Sequence, residues 1–219
     1  MKFKKIFAYL LGFSMLISSE NALADELENV VDTSQTQQFE QTKSEGYVYT
    51  SKRYQYRILC PTVPQVIPVS MMYEGQHGDI LIFDYENDDV MQIKTAWVVI
   101  VDAFDSSQVI DFNSASQDEF ENYLEQLKNA NAFSAAVKLQ LPNENSGVLA
   151  VTAKTLDIDE DGDGEIDATA TADHQEIVVY FRTKNGNRPI SIQLLAYPEV
   201  SKDTFEKFKI GVATFEAVS

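Results

Sequence analysis

Six consecutive apolar residues, Ala96 to Val101, lie within the segment IKTAWVVIVDAF. A run without polar alternation is typical of a strand that is buried on both of its faces. The segments YVYTS, YQYRILCP, QVIPVSMMYE and GDILIFDYE precede it, are rich in aromatic and β-branched residues, and are interrupted by Pro61, Pro64 and Pro68. The sequence therefore predicts a sheet whose central strand is covered on both sides.

A helix is predicted after this block of strands. Ser116 is a suitable N-cap residue, and Glu119 stands three positions later, which is the spacing of a capping box. Apolar side chains then recur at helical spacing, so that they form one stripe that faces the core. These residues are Phe120, Tyr123, Leu124 and Leu127.

A second group of strands and a final helix follow. The pair Asn185-Gly186 lies between two apolar segments and suits the positive φ angles of a tight hairpin turn. From Ser201 onward, apolar residues recur at spacings of three and four, which predicts an amphipathic C-terminal helix packed on the sheet. They are Phe205, Phe208, Val212 and Phe215.

The two ends of the chain set the predicted domain boundaries. Residues 1–24 combine a basic start at Lys2, the apolar run Ile6 to Ile17 and a final Ala22-Leu23-Ala24, which is the pattern of a cleaved signal peptide. Residues 25–45 are polar and are predicted to be a flexible lead-in. Residues 46–219 then form a single domain. Because blocks of hairpin strands alternate with helices, the expected class is α+β around an antiparallel sheet.

The layout resembles the superfamily of the photosystem II extrinsic protein PsbP and its secreted bacterial relatives. The resemblance is carried by the early strand YQYRILCPTVP, the mid-chain helix at 116–129 and the closing helix FEKFKIGVATF. It covers residues 46–219 and implies an antiparallel sheet sandwiched by helices. It also implies a protein that binds partners and does not catalyse a reaction. The acidic stretch described below is not part of the shared pattern.

Charge and cysteine content limit the possible partners and the chemistry. Without residues 1–24 the chain keeps 14 basic and 33 acidic residues, a net charge of −19. Such a chain repels nucleic acid and anionic membrane surfaces and favours cations. Cys60 is the only cysteine, so no intramolecular disulfide forms, and its place in an apolar strand predicts a buried thiol.

The stretch DIDEDGDGEIDA, residues 157–168, carries seven acidic side chains in eleven positions. Counted from Asp159, it reproduces D-x-D-x-D-G-x-I, the opening of an EF-hand calcium loop, with Gly164 at the sharp turn. The predicted metal ligands are Asp159, Asp161, Asp163, Glu165 through its backbone carbonyl, and Asp167. Ile166 is predicted to tuck into the body of the domain.

Two departures distinguish this stretch from an EF-hand. Ala170 stands at position 12, where a bidentate Glu closes an EF-hand site, so a weak calcium affinity is expected, with Asp157 or Asp173 as the replacement ligand. The flanking segments VLAVTAKTL and IVVYF predict strands, so the loop is expected on a hairpin. Magnesium suits a flexible loop less well because it requires tighter octahedral geometry. The alternative is a charged hairpin tip without any ion.

Other candidate sites carry weaker signals. His77 is predicted to be an exposed loop residue and Trp97 a core residue, and the chain has no H-E-x-x-H, G-x-S-x-G or P-loop motif. The leading hypothesis is therefore a secreted, non-enzymatic module of the periplasm or cell envelope that binds calcium and a partner protein or wall component. An extracytoplasmic hydrolase that uses two carboxylates is the alternative. A domain whose acidic loop only keeps it soluble is the third possibility.

Overall fold

The computed structural model describes residues 30–31, 35–41, 43–87, 91–103, 110–129, 133–142, 145–153, 155–158, 166–171, 175–183 and 188–218. Its strands form an eight-stranded sheet in the order β1-β7-β8-β11-β12-β6-β5-β4, a three-stranded sheet in the order β13-β3-β2, and a two-stranded ribbon of β9 and β10. The strands are β1 (Gln37–Gln38), β2 (Tyr47–Ser51), β3 (Tyr56–Cys60), β4 (Gln65–Pro68), β5 (His77–Asn87), β6 (Met91–Val101), β7 (Phe133–Leu141), β8 (Asn145–Thr152), β9 (Thr155–Ile158), β10 (Ala168–Thr171), β11 (Ile177–Arg182), β12 (Pro189–Ala196) and β13 (Glu216–Ala217).

The large sheet is antiparallel except where β1 adds in parallel to β7. Its centre is β11, β12 and β6, and every residue of β11 and β12 is buried. The run Ala96 to Val101 lies in β6 and is also buried, so the prediction of a central strand covered on both faces is confirmed. The predicted hairpin around Asn185-Gly186 is the antiparallel β11–β12 pair, although the turn itself lies outside the described residues.

One side of the large sheet carries a single continuous apolar cluster and is called here the apolar face. Trp97, Val99, Val179 and Ile192 point to this side and belong to a single buried cluster. It is covered by helix α2 (Lys202–Ala213) and by the three-stranded sheet, whose Tyr56 and Ile58 join the same cluster. The C-terminal strand β13 pairs with β3, which ties the end of the chain into this layer.

The opposite side is called here the split face, because two separate apolar clusters share it. Helix α1 (Gln117–Asn129) packs over β7, and Phe120 and Leu127 join the cluster that contains Val148 and Val178. A 3-10 turn at Val69–Met71 packs over β5 and β6 and buries Val69 against the second cluster. The strands β11 and β12 lie between these two covers.

Both predicted helix starts are confirmed. The Glu119 carboxylate accepts hydrogen bonds from the Ser116 backbone N–H and hydroxyl, both at 2.8 Å, so the capping box forms. Ser201 caps α2, since its hydroxyl accepts a hydrogen bond from the Thr204 backbone N–H at 3.1 Å. Gly211 lies within α2 directly over the indole of Trp97, where a Cβ would come within 2.4 Å of the ring.

The predicted fold class, an α+β antiparallel sheet sandwiched by helices, is wrong in its proportion of helices to strands. The described residues contain only two α-helices against three sheets, so the fold is dominated by strands. The segments YVYTS and YRILC were expected in the central sheet, but they form a separate layer with β13. Part of the cover on the apolar face is therefore a second sheet, in which alternate residues of β3 are buried against the large sheet.

Two apolar residues of the predicted lead-in contribute to the core. Val31 is fully buried and Phe39 is 1% exposed, and the Phe39 ring meets Phe205 of α2 edge to face at 6.1 Å. The Phe39 backbone N–H also donates to the Gln140 carbonyl, which extends the β1–β7 pairing by one residue. In the described part of the chain, no helix has the length and apolar character needed to cross a bilayer.

Candidate functional site

The acidic stretch lies on a β-hairpin, as predicted. Strands β9 and β10 pair in antiparallel fashion, and the register ends with Ile158 opposite Ala168. The segment between this pair is Asp159 to Asp167, the same nine residues that the EF-hand register selects. As far as the described residues show, β9 and β10 form their own two-stranded sheet without a ladder to the large sheet.

The described residues include only one of the five predicted metal ligands. Asp159, Asp161, Asp163 and Glu165 lie outside the described residues, whereas Asp167 is described and exposed. In the described part of the chain, no three His, Cys, Asp or Glu side chains come together as a metal site would require. Calcium binding therefore stays a prediction at this point.

The prediction that Ile166 tucks into the domain is wrong. Its side chain is 60% exposed. The physical reason is the position of the ribbon: in the described part of the chain β9 and β10 pair only with each other, so no strand of the large sheet continues beside Ile166 to bury it. Ala170, at position 12 of the EF-hand count, lies in β10 opposite Leu156, so this position continues a strand instead of a helix.

Of the other candidate residues, Cys60 and Trp97 are buried in the core, whereas His77 is exposed. Cys60 is 1% exposed, and burial raises the pKa of its thiol to about 12, so the thiolate is scarce at neutral pH. His77 is exposed at the first residue of β5, and its ring stacks on Tyr54 at 6.5 Å. Trp97 is 1% exposed and meets Phe83 and Phe208 edge to face. The predictions of a core cysteine and a core tryptophan are confirmed.

A buried carboxylate lies where the small sheet meets the large one. Asp79 of β5 is 7% exposed and accepts hydrogen bonds from the hydroxyls of Tyr56 at 2.8 Å and Tyr49 at 3.2 Å. Burial and the nearby Asp79 charge raise the pKa of Tyr49 to about 12 and raise the pKa of Tyr56 well above its usual value. Tyr49 and Tyr56 thus fasten the small sheet to the large one, whereas Tyr47 of the same segment is 43% exposed.

The split face carries a band of buried polar side chains between its two apolar clusters. This polar strip consists of Glu176, Tyr180, Arg182, Ser191 and Gln193, which lie on β11 and β12 or directly before β11. Each of them is at most 6% exposed. The strand register places Tyr180 beside Ser191 and Val178 beside Gln193, so the members follow one another on neighbouring strands.

Hydrogen bonds and tyrosine rings enclose the polar strip. The Gln193 side-chain amide donates to the Glu176 carboxylate, and the Glu176 backbone N–H donates to the Thr152 hydroxyl at 2.7 Å. Burial raises the pKa of Tyr180 well above its usual value, with the charge of Glu176 adding to the shift. Burial also raises the pKa of Tyr73, next to the 3-10 turn, and of Tyr123 on α1.

Sequence reasoning did not find the polar strip. The hairpin predicted around Asn185-Gly186 assigns neither burial nor a role to Ser191 and Gln193. One signal was available: a polar residue at every second position of a strand indicates one face, but it does not say whether that face meets water. In the structure this face is buried, since Ser191 and Gln193 are each 1% exposed.

Comparison with known proteins gives a likeness of fold. No family model and no curated protein matches the sequence. The solution structure of cyanobacterial PsbP (CyanoP) from Synechocystis sp. PCC 6803 matches with a TM-score of 0.46 and 10% identity, over 78% of this chain and 91% of that one. The crystal structure of the Saccharomyces cerevisiae Ran-binding protein Mog1p matches with a TM-score of 0.40 and 12% identity, over 80% and 97%.

The resemblance to PsbP expected from the sequence is confirmed as this likeness of structure. At identities of 10% and 12% it concerns the fold alone. The function of this chain has to be argued from its own residues.

Proposed function

We propose that this chain is an exported, non-enzymatic binding module of the cell envelope whose acidic hairpin loop takes up calcium. The observation that carries the proposal is the β9–β10 ladder, which ends at the Ile158–Ala168 pair and so encloses Asp159 to Asp167. Opposite residues of an antiparallel pair lie about 4.5–5.5 Å apart at their Cα atoms. The two ends of the acidic loop are therefore held together before any ion arrives.

A closed loop favours calcium because its carboxylates cannot separate freely. Calcium takes six to eight oxygen ligands, and alternate acidic residues on a curled loop turn toward one centre. Seven acidic side chains in eleven positions repel one another unless a cation neutralises them. The loop is held from both ends, so this repulsion is relieved more effectively by binding a cation than by spreading the chain.

The hairpin also sets the affinity and the mode of action. Ala170 supplies no side-chain oxygen at position 12, and the affinity expected for such a site is about 10⁻⁴ to 10⁻³ M, the range of extracellular modules. The flanking elements are strands instead of helices, so no helix pair can open when the ion binds. Calcium therefore acts by ordering and stiffening the loop.

The positions of the buried acids favour a binding role over hydrolysis. Two carboxylates that cleave a glycosidic bond together must flank one site. In the described part of the chain the buried carboxylates are Asp79 and Glu176. Asp79 contacts Tyr56 on the apolar face, whereas Glu176 contacts Gln193 on the split face, so the large sheet separates them. Export is proposed from the N-terminal pattern of residues 1–24, and the partner is proposed to be another envelope protein or a wall component.

Calorimetric titration of calcium into chelator-treated protein tests the ion claim. The wild type is expected to release or absorb heat with a Kd of about 10⁻⁴ to 10⁻³ M. At ten times Kd, the free energy of unfolding should rise by about 1.4 kcal/mol. The variant Asp159→Asn/Asp161→Asn should show neither effect, because two converging carboxylates are lost.

A matched control separates a site from general charge neutralisation. Glu40→Gln/Glu45→Gln removes the same two charges from exposed positions of the lead-in. It should bind calcium as the wild type does. Absence of heat in the wild type, or equal loss in both variants, would contradict the proposal.

A further inference from the structure

The polar strip contains two buried oxygen atoms that no other group satisfies. Ser191 and Gln193 are each 1% exposed. Among the described residues, the Ser191 hydroxyl and the Gln193 side-chain carbonyl have no hydrogen-bond partner. The amide nitrogen of the same Gln193 does have one, since it donates to Glu176. The amide nitrogen of Gln193 is therefore held by a hydrogen bond, whereas its amide oxygen accepts none from the described residues.

These two residues cost stability where they are. A buried polar group without a partner costs about 1–3 kcal/mol. The surroundings would suit apolar side chains, because Ser191 lies opposite Ile100 and Gln193 lies opposite Val98. Two such residues on one face, between apolar clusters, indicate groups whose partner is supplied from outside the chain.

The chemistry of the polar strip defines what that partner carries. Gln193 needs a hydrogen-bond donor for its carbonyl oxygen, and the Ser191 hydroxyl can either donate or accept. Glu176 and Arg182 contribute one negative and one positive charge, so the polar strip has no net charge and favours an uncharged ligand. A ligand hydroxyl fits both residues, since it can donate to the Gln193 carbonyl oxygen and can donate to or accept from the Ser191 hydroxyl.

The spacing sets the size of the ligand. Ser191 and Gln193 stand two residues apart on one face of β12, a separation of about 6.7 Å along the strand. Two hydroxyls of one small molecule can reach both positions. Aromatic rings border the polar strip at Tyr180 and Tyr123, and they can pack against the apolar side of a sugar ring.

We propose that the polar strip is a binding site for a small uncharged hydroxylated ligand, a monosaccharide, held by Ser191 and Gln193. The ligand reaches it at the seam between α1 and the 3-10 turn. These covers rest on different strands, α1 on β7 and the 3-10 turn on β5 and β6, so they can separate without breaking the sheet. The site is distinct from the acidic hairpin and does not need calcium.

Saturation-transfer NMR with glucose, galactose and N-acetylglucosamine as probes tests this site, with chelator present throughout. The wild type should transfer saturation to at least one sugar, and that sugar should raise the Tm in a concentration-dependent manner. In Ser191→Ala/Gln193→Leu the affinity should fall at least tenfold. The Tm of the single variant Ser191→Ala without sugar should be equal to or above that of the wild type, because the Ser191 hydroxyl has no partner among the described residues. Gln193→Leu also removes the donor to Glu176, so the double variant should have a lower Tm.

A control variant makes the same chemical changes at exposed positions. Ser44→Ala/Gln92→Leu should bind the sugar as the wild type does. If Ser191→Ala/Gln193→Leu fails to fold, the wild type provides the test. The side-chain amide resonances of its Gln193 must shift when the sugar is added. The proposal is overturned if none of the three sugars binds, if the strip variant retains full affinity, or if these resonances do not move.

Discussion

The two sides of β12 are equally buried but chemically different. Ile190, Ile192 and Leu194 point to the apolar face and join one continuous cluster. Ser191 and Gln193 alternate with them and point to the split face. The same strand thus contributes close packing on one side and unsatisfied polar groups on the other. Burial alone does not tell a stabilising residue from one kept for recognition; the hydrogen-bond partners do.

The largest effect is expected from Phe208→Ala on the apolar face. Phe208 is fully buried and meets the Trp97 ring edge to face at 5.9 Å. Its removal leaves a cavity between α2 and the sheet and should lower the free energy of unfolding by about 3–5 kcal/mol. Urea unfolding followed by tryptophan fluorescence measures the change, since Trp97 is the only tryptophan.

Ser191→Ala provides the counterpart on the split face. Because the Ser191 hydroxyl has no partner among the described residues, its removal should leave the free energy of unfolding unchanged or raise it by up to about 1 kcal/mol. A loss of several kcal/mol in this variant would remove the contrast between the two faces.

Gly211→Ala should destabilise the protein although alanine is the better helix former. The added Cβ would lie 2.4 Å from two atoms of the Trp97 ring, so α2 must move away from the sheet. Overpacking of this kind costs about 1–3 kcal/mol, more than the helix propensity returns. The same urea unfolding measures it, with Lys202→Ala on the exposed side of α2 as the control. A gain in stability would show that the helix does not press on Trp97.

Stability should fall between pH 10 and pH 12. In the unfolded chain tyrosines ionise near pH 10, whereas in the folded chain the pKa of Tyr49 is about 12 and that of Tyr56 is raised further. Between pH 10 and pH 12 these tyrosines stay protonated in the folded protein but are ionised in the unfolded chain. Each increase in pH therefore lowers the free energy of unfolding. Below pH 10 the contribution is fully present. Urea unfolding at pH 9 and pH 11 checks the sign.

Asp79→Asn tests whether the raised tyrosine pKa values on the two faces have different causes. The charge of Asp79 is the second cause of the shifts at Tyr49 and Tyr56 on the apolar face, after burial. The variant should therefore lower the pKa of these two tyrosines and leave Tyr180 on the split face unchanged. Tyrosinate absorbance during an alkaline titration follows both groups. Equal shifts on both faces would contradict the assignment of these causes.

Elements defined by local chemistry could be predicted from the sequence. Short-range spacing predicts the cap at Ser116, the start of the last helix at Ser201, the buried run Ala96 to Val101 and the hairpin position of the acidic stretch. The role of the early strands could not be predicted, because pairing of β3 with β13 joins residues about 160 positions apart, as Arg57 and Glu216 show. No local pattern encodes such a contact.

The polar strip could not be predicted from the sequence for a similar reason, since its burial depends on contacts between distant segments. The alternation of Ser191 and Gln193 with apolar residues describes a half-buried strand equally well. In the structure that face is buried, and it lies between the apolar cluster under α1 and the apolar cluster under the 3-10 turn. The error with Ile166 is the reverse case: an EF-hand packs this apolar residue within a helix pair, whereas here it adjoins a two-stranded ribbon that pairs with no other strand among the described residues.

The proposed function is tested most directly by amide NMR spectra recorded during addition of calcium up to millimolar concentrations. The account predicts saturable shifts at the hairpin, including Ile166, Asp167 and Ala168, while the amides of Val99 on β6 stay in place. Asp159→Asn/Asp161→Asn should show no saturable shift at the hairpin. Spectra that do not change in the wild type, or that change equally in this variant, would contradict the calcium site.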